Sequence, residues 1–483
     1  MKTETGDKAV FLLSKKDIFF LCVGFLLLFI ITITAYNGIT PDGLTPNGQI
    51  MIGILLMAAI FWITEPIPLP VTGLLIMIAQ PILGIMKPES VFSSFGNQAV
   101  FFLIGAFIIA AAVEKHGLHK RIALKFLSRF DQNPRLFTLG IMLSCAFLSF
   151  VMPEHGVAAL FLPIVISVLV AMKVVPRKSN FGKISLLSIA YGCSIGSLGT
   201  LIGGARNPLA IGFLSSLEDP IIVSFAEWMI YSMPIVIISL PLVWLILNFS
   251  FPIKEKNIKN ARMEIQKQVK ESGKISKKEI TVLSIMILTI LLWILFSHHT
   301  YFGLAVIAIF GSFLMFLSGS INWKDVEKRI PWGIILMYGG AITLGIGMQG
   351  QELGGTGAGE WIASQIFNTA GVNIPVVILF MIVFTVLLTN IMSNVGAVAI
   401  LLPIGASIAT KIGVSPLLTT LLIALSGGLA FMFVIATPGN AITYSAGYYS
   451  TKDLLKGGIL ANIICIGIVF MVAMVYWIGV LNI

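Results

Sequence analysis

Charge is what this chain has least of. Lys, Arg, Asp and Glu make up 11% of its 483 residues, where a soluble globular protein carries roughly 25%. Such a chain cannot cover a water-facing surface, so an ordinary soluble domain is excluded. Cysteine is scarce as well. Cys22, Cys145, Cys193 and Cys465 each stand alone in an apolar stretch, which excludes a disulfide framework or a cysteine metal site and leaves small buried hydrophobes. The five histidines (His116, His119, His155, His298 and His299) show no ligand spacing with acids. A P-loop pattern is missing, so nothing supports ATP-driven work. No nucleophile–base or metal constellation points to an enzyme.

What the chain does have is long apolar runs. Apolar residues make up 57% of it, in continuous stretches of about 20 residues, enough for a helix to cross a bilayer. A β-barrel would instead show segments of about 10 residues with alternating polarity. The fold class is therefore an all-α polytopic membrane protein, with the lipid bilayer as its first partner. The net charge of +10 does not indicate nucleic acid, because the bases sit in short polar connections between apolar runs. The N-terminus shows no cleavable signal pattern. His298 and His299, at a helix end, read as solvated.

The bases order the crossings. They cluster at Lys2, Lys8, Lys15 and Lys16, through 114–135 and 173–183, at 324–329, and at Lys452 and Lys456; 254–279 alone holds nine. Stretches 35–49, 216–227 and 349–374 have no base, and the last two carry acids such as Glu218, Asp219, Glu352 and Glu360. Placing the basic loops inside gives about eleven crossings in a cytoplasmic (inner or plasma) membrane. The N-terminus then lies in the cytoplasm and the C-terminus outside. The mixed charge of 254–279 reads as a helix on the cytoplasmic surface.

Two segments break the alternation. Residues 136–172 lie between basic loops, yet hold an apolar stretch interrupted at Pro153-Glu154-His155-Gly156. Residues 375–412 have the same form, interrupted at "IMSNVGA", Ile391 to Ala397. Both read as re-entrant hairpins. "PEHGVAALFLPI" (153–164) aligns with "SNVGAVAILLPI" (393–404), so that Gly156 meets Gly396 and Pro163 meets Pro403. After each comes a second break, "GTLIGGARNP" (199–208) or "FVIATPGNAI" (433–442), in which Asn207 meets Asn440. The charge pattern orients the halves oppositely. An inverted repeat with broken helices is secondary-transporter architecture, with half-helix ends and unwound backbone available to ions. The expected division is N-terminal scaffold helices in 1–97, a first repeat in 98–253 (hairpin 136–172, broken helix 184–215), a cytoplasmic linker with connecting helices in 254–330, and a second repeat in 331–483 (hairpin 375–412, broken helix 415–447). Ser426-Gly427-Gly428 and Gly339-Gly340 read as close helix packing. Glu65, in "TEPIPLP", reads as part of a tight interhelical connection held open by its prolines.

"ITEPIPLPVTGLL" (63–75), "TNIMSNVGAVAILLPI" (389–404) and "ATPGNAI" (436–442) resemble the divalent anion/sodium symporter family of sodium-coupled dicarboxylate and sulfate carriers. The likeness spans nearly the whole chain. It implies a homodimer, with an elevator motion of a transport domain against a scaffold. It implies a Ser-Asn-Thr hairpin tip in each repeat that binds substrate and helps hold sodium, and a facing Thr-Pro loop. On the second repeat it places Ser393, Asn394 and Val395 at the tip, with Val395 where the family has Thr. Thr389, Ser393, Asn394, Ala436 and Pro438 become sodium positions, and Thr437 and Asn440 complete the substrate side. On the first repeat Ser149 is kept as a sodium position, but Pro153, Glu154 and His155 stand in place of Ser, Asn and Thr. Gly204-Ala205-Arg206-Asn207 stands where the family has Thr-Pro-Pro-Asn. Glu154, His155, Arg206 and Asn207 are thus this repeat's substrate-side candidates.

A lone charge at this depth costs about 2.5–3.5 kcal/mol on insertion scales, so Glu154 and Arg206 call for an account. They form a fixed pair whose guanidinium takes a sodium's place, or Arg206 meets the anion directly, or Glu154 and His155 exchange protons. The functional expectation is secondary transport of a small divalent anion (di- or tricarboxylate, or sulfate) with sodium as coupling ion and no organic cofactor. A proton-coupled or exchanging carrier is the alternative in the same class, and an anion channel the alternative in another.

Overall fold

The computed structural model describes residues 13–483, apart from 131–132, 256, 297, 300, 352–353 and 371–372. Lys2, Lys8 and Glu352, used in the charge reading, lie outside the described residues. All regular structure among the described residues is helical. Nine of these helices are long and apolar enough to cross a membrane, or up to ten if a bent pair at Trp323–Arg329 and Trp332–Met348 counts as one span. Eleven is not recovered by length. Three of the nine (Glu154–Ala171, Ile374–Ile391 and Asn394–Ile412) lie in the segments read as hairpins, while Leu69–Ile82, Pro134–Leu148, Leu304–Leu317 and Pro416–Ser426 are apolar but shorter.

The chain runs through two similar series of helices. In the first, the hairpin arms Pro134–Leu148 and Glu154–Ala171 precede Asn180–Gly196, a break, the short Arg206–Leu214 and the long Phe225–Ser250. In the second, Ile374–Ile391 and Asn394–Ile412 precede Pro416–Ser426, a break, Pro438–Ser445 and Thr451–Met471. The tips turn alike: Pro153 has φ −56° and ψ 136°, and Ser393 has φ −55° and ψ 134°. Two different residues thus adopt one extended conformation that starts the second arm. Proline serves here because the first helical N–H groups need no intrahelical acceptor.

The series interlock, with Arg206–Leu214 packed on Asn394–Ile412 and Pro438–Ser445 on Asn180–Gly196. Leu69–Ile82 packs along Trp332–Met348, and Leu304–Leu317 along Gln98–Lys115. Close approach requires glycine: a Cβ at Gly340 would overlap the backbone of Gly73, and one at Gly105 would lie 2.5 Å from the Ala308 carbonyl carbon. Gly339 meets the Phe95 ring. Within 254–279 a helix forms at Lys259–Glu271, burying Ala261 and Ile265. It lies against the arm Glu154–Ala171, where Gln268 donates to Ser167 Oγ at 2.6 Å. His298 is not simply solvated. Its Nε2 lies 2.9 Å from Glu227 Oε2, a carboxylate already fixed by the capping box of Phe225–Ser250.

Candidate functional site

Each break leaves backbone carbonyls deep in the protein, where each needs a donor. One asparagine per break supplies two. Asn207 Nδ2 donates to Ser197 O (2.8 Å) and Thr200 O (2.7 Å), ten and seven residues upstream. Asn440 Nδ2 donates to Ala430 O (3.0 Å) and Phe433 O (2.9 Å), again ten and seven residues upstream. Both asparagines are fully buried and stand behind the cavity wall. The structure thus engages their amide nitrogens with the backbone. In the first break the remaining donors come from Phe225–Ser250: Trp228 Nε1 to Leu198 O (2.9 Å) and Ser232 Oγ to Gly199 O (3.2 Å). In the second, Tyr191 of the opposite series donates to Phe431 O at 3.2 Å.

The hairpin tips dock on these breaks. Thr200 Oγ1 donates to Phe150 O at 2.7 Å, and Glu154 N to Gly203 O at 3.2 Å. In the second series Thr389 Oγ1 lies 2.7 Å from both Asn394 Oδ1 and Gly427 O. Asn390 accepts from Met432 N at 2.8 Å. Thr200 and Asn390 were not singled out from sequence. A hydroxyl or amide next to an interrupted apolar run was the available sign.

Both tips and both breaks border one cavity of about 460 Å³. Pro153, Glu154, His155 and Arg206 line it from the first series, and Ser393, Asn394, Val395, Ala436, Thr437 and Pro438 from the second. Nine sequence candidates from distant parts of the chain therefore converge, with Pro153 beside them. Ser149, Thr389, Asn207 and Asn440 are fully buried in the layer behind. Leu69, Pro70, Gly333, Ile334 and Met337 close the opposite wall. Glu65 joins that wall as well, in a left-handed conformation (φ 48°) that caps Pro46–Thr64; the connection places a carboxylate at the cavity, which the sequence reading did not assign.

The charged pair is present. Arg206 Nη1 lies 3.8 Å from Glu154 Oε2. Ser197 joins them more closely: its hydroxyl accepts from Arg206 Nη2 at 2.7 Å and lies 2.8 Å from Glu154 Oε2. The arginine side chain is 1% exposed and the glutamate side chain 13%, so the carboxylate faces the cavity and the guanidinium lies behind it. Gly428 is not a helix-packing glycine, since a Cβ there would overlap the guanidinium. Ser197 was missed because only the fold carries it to the pair. Across the cavity the second series offers neutral oxygens and dipoles, with Thr437 capping the N-terminus of Pro438–Ser445 by accepting from Asn440 N at 3.0 Å. Among the described residues no cluster of His, Cys, Asp and Glu suits a transition metal, but hydroxyl and carbonyl oxygens suit a hard cation.

Comparison with known proteins agrees with this arrangement. Residues 21–483 match the family model described as the sodium:sulfate symporter transmembrane region. The chain is 32% identical over 473 residues to the sodium-dependent dicarboxylate transporter SdcS of Staphylococcus saprophyticus, covering 92% of this chain and 89% of that protein. It is 32% identical over 479 residues to SdcS of Staphylococcus aureus strain MRSA252, covering 94% and 89%. Two solved structures share the fold alone. Neisseria gonorrhoeae MtrF, described among antimetabolite efflux pumps, has a TM-score of 0.55 at 11% identity, covering 95% of this chain and 97% of its own. The Alcanivorax borkumensis YdaH transporter has a TM-score of 0.53 at 14% identity, covering 90% and 98%. The extent of the family match and the identity to these transporters make this chain a member of the sodium:sulfate symporter family of integral membrane transporters.

Proposed function

We propose that the protein is a secondary active carrier of a small divalent anion, a di- or tricarboxylate or sulfate, coupled to sodium. One observation carries this reading: two hairpin tips and two broken helices meet around a single cavity of about 460 Å³. A site shared between repeats lets one bound anion be presented alternately to either side. The anion rests against the Ser393–Asn394 tip and the N-terminus of Pro438–Ser445, whose N–H groups and positive dipole end favour negative charge. Sodium sits with Thr389, Ser393, Asn394 and the backbone at Ala436 and Pro438, oxygen ligands of a kind that suits a hard ion. Val395 removes one hydroxyl from the tip and narrows the range of anions held tightly.

The moving unit comprises the hairpins and broken helices, in the two repeats 98–253 and 331–483. The scaffold comprises the N-terminal helices in 1–97 and the connecting helices in 254–330. It moves as an elevator within a homodimer, with the N-terminus in the cytoplasm and the C-terminus outside. The cavity wall formed by Leu69 and Pro70 of the scaffold supports this reading, since a site at such a boundary changes sides when one unit slides. A proton-coupled or exchanging carrier is the second reading, favoured by Glu154 and His155 at the cavity.

The test is uptake of labelled succinate into proteoliposomes, with and without an inward sodium gradient at equal pH. Sodium-driven accumulation with saturation and countertransport is the expected result. Uptake indifferent to sodium but driven by a proton gradient or by internal anion would establish the second reading. No uptake of succinate, sulfate or tricarboxylates would overturn both.

A further inference from the structure

We infer that Arg206 is a resident cation of the first repeat, a tethered charge that serves two half-helix ends at once and takes the place a mobile cation would fill. Asn180–Gly196 and Pro416–Ser426 both end inside the protein, and each C-terminus carries the negative end of its helix dipole. The Arg206 guanidinium reaches both. Its Nη2 donates to Ser197, the cap residue of the first of these helices, at 2.7 Å. The same Nη2 lies against Gly428, just past the end of the second, in space that a Cβ there would fill.

The first repeat's tip and break carry oxygens of the kind a cation site uses. Glu154 Oε2 is 3.8 Å from Nη1. Ser149 Oγ and Asn207 Oδ1 belong to fully buried side chains and have no hydrogen-bond partner among the described residues. In the second repeat the corresponding tip and break hold Thr389 and Asn394, which are neutral, and a glycine (Gly439) stands where the first repeat has Arg206. One repeat thus carries its positive charge covalently, balanced by its own carboxylate. The other must borrow a cation from solution. On the carrier reading above, this removes one ion from each transport cycle, although the inference itself stands on the pair and is tested without transport.

The test is the thermal midpoint of the full-length protein in detergent, measured across sodium chloride concentrations with choline chloride holding ionic strength constant. The wild type is expected to follow a single-site dependence. Arg206→Met leaves Glu154 buried without a countercharge, so its midpoint should fall in choline and recover in sodium. Its slope against log sodium should be about twice that of the wild type, because each bound ion adds its own mass-action contribution. Glu154→Gln/Arg206→Met removes both charges, and should return to the wild-type slope and lose the choline deficit. Arg206→Met with the wild-type slope, or a double variant no better than the single one, would overturn the inference. If Arg206→Met does not fold, Arg206→Lys decides: a tethered ammonium should keep the wild-type slope against sodium, whereas a doubled slope would overturn the inference. A wild type indifferent to sodium would count against the carrier's coupling ion, while the comparison of slopes would still decide the role of Arg206.

Discussion

The two breaks solve one backbone problem and differ in charge. Each places an asparagine ten and seven residues downstream of the carbonyls it satisfies, and each receives a hairpin tip with nearly the same dihedral angles. Around that shared frame the second repeat keeps neutral oxygens, while the first carries Glu154, Arg206 and the linking Ser197. The frame is common to the two repeats, and the charged pair stands in the first alone. Substitutions in the frame should therefore act alike in both repeats, whereas substitutions in the charges should act in one.

The largest effect is expected from breaking the pair on one side. Glu154→Gln leaves a guanidinium that is 1% exposed facing a neutral amide. Stranding one member of a buried ion pair costs about 3–5 kcal/mol. The yield of folded protein, read by fluorescence size-exclusion chromatography, should collapse. A yield close to wild type would mean that the arginine does not depend on this carboxylate. The corresponding change in the second repeat, Asn394→Ala, removes no charge and should leave the yield far less affected.

Next come the paired asparagines. Asn207→Ala and Asn440→Ala each leave two buried carbonyls short of a donor, at about 1–3 kcal/mol per unsatisfied group. The two variants should lower the thermal midpoint by similar amounts. A large loss from one and none from the other would break the equivalence of the two frames.

Much of this was legible in sequence because the signals were local. Apolar runs gave the fold class, and their interruption at Pro153–Gly156 and Ile391–Ala397 marked the two tips that meet at the cavity. What escaped the reading depended on distance in the chain. Ser197 is polar in a break full of small residues, and nothing nearby says that it links Glu154 to Arg206. Gly428 looks like a packing glycine until the arginine of the other repeat is found against it. Glu65 looked structural because its prolines explained it; only the fold brings that connection to the cavity. Length does not settle the count of crossings, because hairpin arms of 18 or 19 residues are as long as membrane spans.

A smaller and more selective effect is expected at Thr389, whose hydroxyl lies 2.7 Å from both Asn394 Oδ1 and Gly427 O. Thr389→Val keeps the shape and removes the oxygen. Losing one ligand oxygen or hydrogen bond is worth about 1 kcal/mol, so the sodium concentration for half-maximal uptake should rise severalfold while yield holds. The matching change Ser149→Ala, at the equivalent position of the first repeat, should leave that concentration unchanged. A sodium effect from Ser149→Ala equal to that of Thr389→Val would mean that the two repeats bind ions alike, against the asymmetry drawn from Arg206.

The smallest effect is a gain. Val395 lines the cavity beside Ser393 and Asn394 and offers an anion only methyl groups. Val395→Thr keeps the β-branch and adds one hydroxyl facing the site. A new hydrogen bond to a charged group contributes about 1.5–3 kcal/mol when well placed, and less when water already served the same oxygen. The apparent affinity for succinate should therefore improve severalfold, with the sodium dependence unmoved, because the added group faces the anion and not the ion behind it. His155 holds the equivalent tip position in the first repeat, and there the same logic runs the other way. His155→Thr adds a hydroxyl but removes an imidazole that can donate to the anion when protonated. The variant should lose succinate affinity where Val395→Thr gains it. If both variants improved succinate affinity equally, the tips would be interchangeable, and the asymmetry between repeats would be confined to the charges behind the cavity.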